Sequence, residues 1–341
     1  MKCAILVKSK KPLVIDDIQL NQSLKFGQVL VKIKYSGICG SQINEIDATK
    51  GRDKYLPHLL GHEGSGIVEK IGDGVTRVKK GDHVVLHWRK SSGIEAESAK
   101  YIWRNKILNS GKVTTFSEKS IVSENRLTVI PKKFDLRVAP LFGCSILTGF
   151  GVVNNDAQIK IGQSVVIFGI GGVGLNIAQA AKMVSANPII GIDTNNSKIK
   201  LGRKFGLTHS FLAKTKKLNK KILKILNNKT GADVVIDTTG ISKVIENSYN
   251  LTNENGKTIL VGVPKSKISI YSLPLHFRKI LTGSHGGSSV PDVEIPRYIK
   301  LVDENKLNLK NLITHEFKLN EINKAIDLLR NGNCGRIIIK M

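Results

Sequence analysis

The stretch VVIFGIGGVGLNIAQAAKM, residues 165 to 183, decides the fold of the middle of this chain. Four apolar residues, VVIF, run straight into Gly169-x-Gly171-x-x-Gly174 and then into the amphipathic segment LNIAQAAKM. An unbroken apolar run suits a strand buried on both faces, and the glycine spacing after it fits a strand-to-helix turn that receives a pyrophosphate. The first glycine permits the tight turn, the second lets phosphates approach the backbone, and the third lets helix and strand come close. Free N–H groups at the helix start then face the phosphates. Nineteen residues past Gly174, after the apolar IIGI, comes Asp193. A carboxylate there accepts from the adenosine ribose hydroxyls and repels a 2′-phosphate, which points to NAD over NADP. The plainer alternative is a turn aspartate in DTNNS.

Outward from this stretch the alternation continues through PIIGID, ADVVIDTTG and KTILVGVP, the pattern of a parallel sheet covered on both faces. The first third differs: VLVKIKYSG, GSGIVEKIGDGV and GDHVVLHW are short, glycine-broken and β-rich, as in an all-β body. After GSHGGSS (283 to 289) the text changes again, ending in the helix-like NEINKAIDLLRNG and the strand-like RIIIKM. There is no internal repeat and no Pro-rich or Ser-rich linker, so rigid joins are expected.

A length of 341 residues suits two domains. The formal net charge of +26 raises the question of a polyanionic partner, but the lysines run through every segment together with Asn and Ile. The densest run, KTKKLNKKILKILNNK (214 to 229), sets Leu218, Ile222, Ile225 and Leu226 at helical spacing with lysines on the other faces. It has no aromatic residue on which a base would stack, so a solvated helix is expected and no nucleic-acid partner. At the N-terminus lysine interrupts the apolar run Cys3 to Val7, which supports neither a signal peptide nor a membrane span. A cytoplasmic protein without a membrane partner is the expectation. The four cysteines (3, 39, 144 and 334) lie far apart, which favours reduced thiols over a disulfide framework.

Three of the ligand-type residues stand in glycine-flanked settings. Cys39 lies in YSGICGSQIN, His62 lies beside Glu63 in LLGHEGSG, and Cys144 lies in LFGCSILTGFG. Two thiolates and an imidazole, with a fourth position left over, match a catalytic zinc better than a closed structural one. The alternative is packing cysteines and a satisfied core histidine.

The segments SGICGS (36 to 41), GHEGSGIVEKIGDGVTRVKKGDHV (61 to 84), GCSILTGFG (143 to 151), VIFGIGGVG (166 to 174) and VGVP (261 to 264) give the chain a resemblance. End to end, it resembles the zinc-dependent alcohol dehydrogenases of the medium-chain dehydrogenase/reductase family. The resemblance implies an α/β protein with a GroES-like β-rich catalytic domain (1–147), interrupted by a Rossmann NAD-binding domain (148–286), and a return of the chain to the catalytic domain (287–341). It implies Cys39, His62 and Cys144 as catalytic zinc ligands, Glu63 as an acidic neighbour of the metal, and Ser41 as the hydroxyl that takes the substrate proton. Thr148 and Val173 then resemble the residues against the nicotinamide. Gly169, Gly171, Gly172, Gly174, Asp193, Lys198, Val263 and, in CGRIIIK, Arg336 resemble cofactor-binding positions.

Three departures stand out. The segment after GDHV contains no cysteine, so one catalytic zinc and no structural zinc are expected. Gln42 stands where the family often has an Asp that hydrogen-bonds the histidine ligand, and Asn44 stands where a relay His is frequent. Cys3, Cys334 and His83 read as structural, and His285 lies near a domain join. The expected activity is reversible NAD-linked oxidation of an alcohol to an aldehyde or ketone. A polyol or sugar dehydrogenase, acting on a phosphorylated substrate among others, and a non-catalytic nucleotide-binding protein are the alternatives. A homodimer or homotetramer is expected. Lys50, Arg52 and Lys54, with His87, Trp88, Arg89 and Lys90, raise the prospect of an anionic substrate, against the alternative of solvated basic loops.

Overall fold

Val165, Val166, Ile167 and Phe168 form a strand with every side chain buried, as their unbroken apolar run requires. The structure, a computed structural model, describes residues 1–20, 23–227, 230–264 and 266–341. The last two residues of the basic run 214–229 lie outside the described residues; within it, Leu218–Leu226 is a helix. The chain divides into two units, one of Met1–Cys144 with Val290–Met341 and the other of Ser145–Ser289. The second reaches three residues further at each end than the span 148–286 expected from the sequence.

In the Ser145–Ser289 unit a six-stranded parallel sheet, counted over the described residues, runs in the order His209–Leu212, Ile189–Asp193, Val165–Phe168, Ala232–Asp237, Thr252–Leu260, Ile280–Gly283. From Val165–Phe168 the chain builds outward to one edge, then returns to the other side of the same strand, so the strand order reverses between Val165–Phe168 and Ala232–Asp237. The carboxyl ends of those two strands, Phe168 and Asp237, pair in register and open the crevice at which such sheets bind ligands. The helix Gly172–Met183 buries its residues 174 to 181. On the sheet, Val166, Phe168, Ile190, Ile192, Ile222, Val235 and Leu251 share one apolar cluster.

The other unit is built mostly on antiparallel pairing, with Ile313–Lys318 and Arg336–Lys340 running parallel. Its main sheet runs Leu127–Ile130, His83–His87, Glu63–Ile71, Gln28–Ile38, Arg336–Lys340, Ile313–Lys318, and Lys119–Ser123 also pairs with Gln28–Ile38. The unit is not all-β: the helices Gly40–Ile46, Pro291–Asp303 and Ile322–Asn331 belong to it. Ile322, Ala325 and Ile326 of the last helix pack with Ala4, Leu6, Ile38, Ile337 and Ile339, tying both chain ends into one core. Register sets the site: Ile337 lies opposite Ile38, so Arg336 and Cys39 flank the same pair at the strand ends.

Candidate metal centre and dinucleotide turn

Cys39 leaves the end of the strand Gln28–Ile38 and serves as N-cap of the helix Gly40–Ile46, with extended backbone angles. Its backbone N–H donates to Gln42 Oε1 at 2.9 Å, so the helix's first turn fixes the residue from which the thiol projects. His62 follows Gly61, whose φ of +94° and contact with the Phe116 backbone admit no side chain. Cys144 follows Gly143, where a Cβ would meet Glu63 Cα at 2.8 Å. Gly61 and Gly143 thus let their segments come close, whereas a Cβ on Gly40, beside Cys39, would meet nothing within 4 Å.

The ligand atoms of Cys39, His62 and Cys144 lie within 4.8 Å of one another, the one such group of His, Cys, Asp or Glu among the described residues. The two Sγ atoms are 4.0 Å apart. A tetrahedral ion with Zn–S bonds of about 2.3 Å requires an S···S edge of about 3.8 Å. His62 Nε2 is buried without a hydrogen-bond partner. An orphaned imidazole nitrogen beside two thiols at that separation fits a zinc ion.

The electrostatics fit the same reading. The Cys144 thiol, pointing its proton at Cys39, holds Cys39 well below the ordinary thiol range against the opposing effect of burial, and His62 adds to this. Cys144 is pushed well up, because it is the donor and is buried. Burial would lower His62, but the negative charge of the neighbouring Cys39 raises it. Glu63 is wholly buried; desolvation raises its carboxyl, opposed by Arg336. Its Oε1 pairs with Arg336 Nη2, and its Oε2 is buried without a partner. Arg336, 4% exposed, is held protonated by Glu63 and the two thiols despite its burial. Ser41, two residues past Cys39, is exposed.

In the other unit, Gly169 has φ +90°, the turn its place in the motif requires. A Cβ on Gly174 would strike the Gly169 carbonyl, whereas a Cβ on Gly171 would meet nothing within 4 Å. The third glycine is thus needed for packing and the second leaves open space for a phosphate. Gly172 and Val173 begin the helix and are partly exposed. Asp193 ends its strand 9% exposed; Oδ2 accepts from Ile170 N–H and Oδ1 from Asn195 N–H, each at 2.8 Å. The carboxylate therefore braces the glycine turn as well as facing its mouth. Lys198 lies in the helix Asn196–Lys204, Thr148 is buried in the helix Ser145–Gly151, and Val263 is exposed past the strand Thr252–Leu260.

Some residues lie differently from the sequence reading. His87 is fully buried and cannot meet an anionic substrate: Nδ1 donates to Arg89 O at 2.6 Å, and Nε2 accepts from Thr128 Oγ1 at 2.9 Å. Arg89 lies over the Trp88 ring, 5.9 Å from its centroid, while Lys50, Arg52 and Lys54 are exposed. Gln42 gives its oxygen to Cys39 N–H and turns its nitrogen to His62 Nδ1. The sequence reading missed Asp53 and His58, joined Oδ2 to Nε2 at 2.7 Å beside a cavity of about 300 Å³ that Glu45, Gln42 and His62 also line. Cys3 and Cys334 are buried thiols outside any disulfide, and His83 is part of its strand.

Two family models match the chain: "Alcohol dehydrogenase GroES-like domain" over residues 25–132 and "Zinc-binding dehydrogenase" over residues 172–304. The chain is 32% identical to "Alcohol dehydrogenase-like 2" of Arabidopsis thaliana, covering 100% of this chain and 96% of that protein. It is 29% identical to "Alcohol dehydrogenase class-3" of Cereibacter sphaeroides, covering 99% of each. Among solved structures, a zinc-binding domain protein of the alcohol dehydrogenases from Burkholderia ambifaria superposes with a TM-score of 0.92 at 25% identity, covering 100% of this chain and 98% of the other. Benzyl alcohol dehydrogenase from Acinetobacter calcoaceticus superposes with a TM-score of 0.90 at 26% identity, covering 100% and 99%. With both domains matched and the whole length aligned, this oxidoreductase chain belongs to the zinc-dependent alcohol dehydrogenases of the medium-chain dehydrogenase/reductase family.

Proposed function

We propose that the protein catalyses the reversible NAD-linked oxidation of an alcohol to an aldehyde or ketone. The observation that carries this reading is the convergence of Cys39, His62 and Cys144 around a buried, unpartnered imidazole nitrogen. When bound, a zinc ion supplies a Lewis acid that makes the alcohol more acidic, and NAD supplies the acceptor for its hydride. Cys39, His62 and Cys144 hold the ion, one per chain. Ser41, exposed at the start of its helix, takes the alcohol proton. Glu63, wholly buried with one free oxygen, shapes the field behind the ligands.

On the cofactor side, Gly169, Gly171, Gly172 and Gly174 receive the pyrophosphate. Asp193 and Lys198 hold the adenosine ribose, and Thr148, Val173 and Val263 orient the nicotinamide. The open space at Gly171 supports this assignment. None of the four cysteines is in a disulfide, consistent with a reduced, cytoplasmic setting, and no helix among the described residues is long and apolar enough to cross a membrane. A homodimer or homotetramer is part of the proposal. The edge strand Ile280–Gly283 begins with exposed Ile280, and Tyr271 and Phe277 before it are exposed too, which suits pairing with a second copy.

The test is turnover of a panel of alcohols, polyols and sugar derivatives, neutral and phosphorylated, followed by nicotinamide absorbance, with metal content measured on the same sample. Turnover that needs both zinc and NAD supports the reading. Zinc-loaded protein that binds NAD but oxidises nothing in the panel makes the chain a nucleotide-binding protein instead.

A further inference from the structure

Gln42 offers one hydrogen-bond acceptor where a zinc-loaded site presents two donors, and we propose that this shortfall makes Gln42 the positioning residue that keeps metal retention weak. The inference rests on the metal site proposed above. Gln42 is 1% exposed, and its terminal amide sits between the two ligand-bearing segments. Oε1 accepts from Cys39 N–H at 2.9 Å, while Nε2 lies against His62 Nδ1. The Cys39 donor is a backbone group, so it fixes which way the amide points.

His62 groups with the two Sγ atoms; its Nδ1 is turned to Gln42, and its Nε2 is buried without a partner. It is therefore the nitrogen that supplies an electron pair to a metal. A neutral imidazole that ligates through Nε2 carries its proton on Nδ1. The amide then faces two N–H groups, Cys39 N–H and His62 Nδ1–H, with one oxygen and one NH2. Whichever way it is turned, a donor confronts a donor across an almost fully buried amide. A carboxylate of the same length has two acceptor oxygens and no N–H, and satisfies both. Groups that orient a ligating histidine typically change metal affinity by about 10- to 100-fold, so the effect is measurable.

The experiment compares the full-length wild-type protein with Gln42→Glu, and with Gln42→Asp as a second carboxylate in case the longer one impairs folding. Zinc affinity is read by competition with a chromophoric chelator, and imidazole N–H signals of the zinc-loaded proteins are read by proton NMR. The expected result is a Kd for zinc lowered about tenfold or more in a folded carboxylate variant, with a slowly exchanging, downfield imidazole proton that zinc-loaded wild type lacks. An unchanged or raised Kd in the folded variants overturns the inference. So does tighter binding without the new proton signal, since added charge alone then accounts for it. Cys144→Ser separates the underlying reading: if it leaves zinc affinity intact, the metal site itself is wrong. If it abolishes binding while the carboxylates do nothing, only the role of Gln42 fails.

Discussion

Glu63 and Arg336, 273 residues apart in the chain, meet in an ion pair closed to solvent, Arg336 Nη2 against Glu63 Oε1. Desolvating two charges costs several kcal/mol each, and their mutual attraction offsets that only while both are present. Arg336→Leu should therefore destabilise the protein by about 3–5 kcal/mol, because it strands a buried carboxylate. Glu63→Gln with Arg336→Met should recover most of that loss. Urea unfolding of the metal-free proteins gives the comparison, and a single variant within about 1 kcal/mol of wild type would show that water reaches the pair.

Elemental analysis of protein purified without added metal should give about one zinc per chain at most, since one ligand group exists among the described residues. Cys144→Ser should remove the zinc and the activity while leaving NAD binding unchanged, because Gly169, Gly171 and Asp193 lie in the other unit. Two zinc ions surviving dialysis against a chelator would contradict this.

His87 gives a pH prediction independent of the metal. Burial pushes its imidazole down to about 4 from an ordinary value of 6.5. The folded protein keeps it neutral, donating to Arg89 O and accepting from Thr128, while the unfolded chain protonates it first as pH falls. The unfolded state thus binds more protons between pH 6.5 and 4, so stability rises with pH across that window. This contribution is fully present above pH 6.5 and lost by about pH 4, with a total of about 3 kcal/mol. His87→Gln should flatten the acid limb between those limits. An equally steep limb in the variant would place its origin in the carboxylates.

The cluster of Cys39, His62 and Cys144 was legible because its residues carry local signs. Gly61 and Gly143 are required where backbone comes close, and that requirement shows in the sequence as a bare, glycine-flanked His or Cys. The glycine turn after VVIF was legible for the same reason. Arg336 was visible only as the charge in CGRIIIK, since nothing near it in sequence names a partner 273 residues away. His87 misled because a histidine at the end of the strand HVVLH reads as leaving the sheet, whereas its Nε2 meets Thr128 on the neighbouring strand Leu127–Ile130 and it is fully buried. Gln42 could be seen as a missing carboxylate, but its second bond, to Cys39 N–H, depends on a helix starting at Gly40.

Asp193 should make NAD the preferred cofactor, and the structure adds a second consequence to its removal. Its two oxygens already accept from Ile170 N–H and Asn195 N–H, yet each carboxylate oxygen has a further lone pair for a ribose hydroxyl. Asp193→Gly removes the ribose acceptor and the repulsion of a 2′-phosphate, and leaves the Ile170 N–H inside the glycine turn without its partner. Both cofactors should therefore bind less well through the turn, while NADP alone gains from the lost repulsion, with Lys198 on the next helix as a cation for the phosphate. The expected outcome is a fall in kcat/KM for NAD of about tenfold or more, with NADP little changed, so that the preference collapses without NADP becoming a good cofactor. Asp193→Asn, which keeps one acceptor oxygen and loses the charge, should fall between the two. A wild-type enzyme that already favours NADP, or an Asp193→Gly variant in which both cofactors drop by the same factor, would reduce this carboxylate to a brace for the turn.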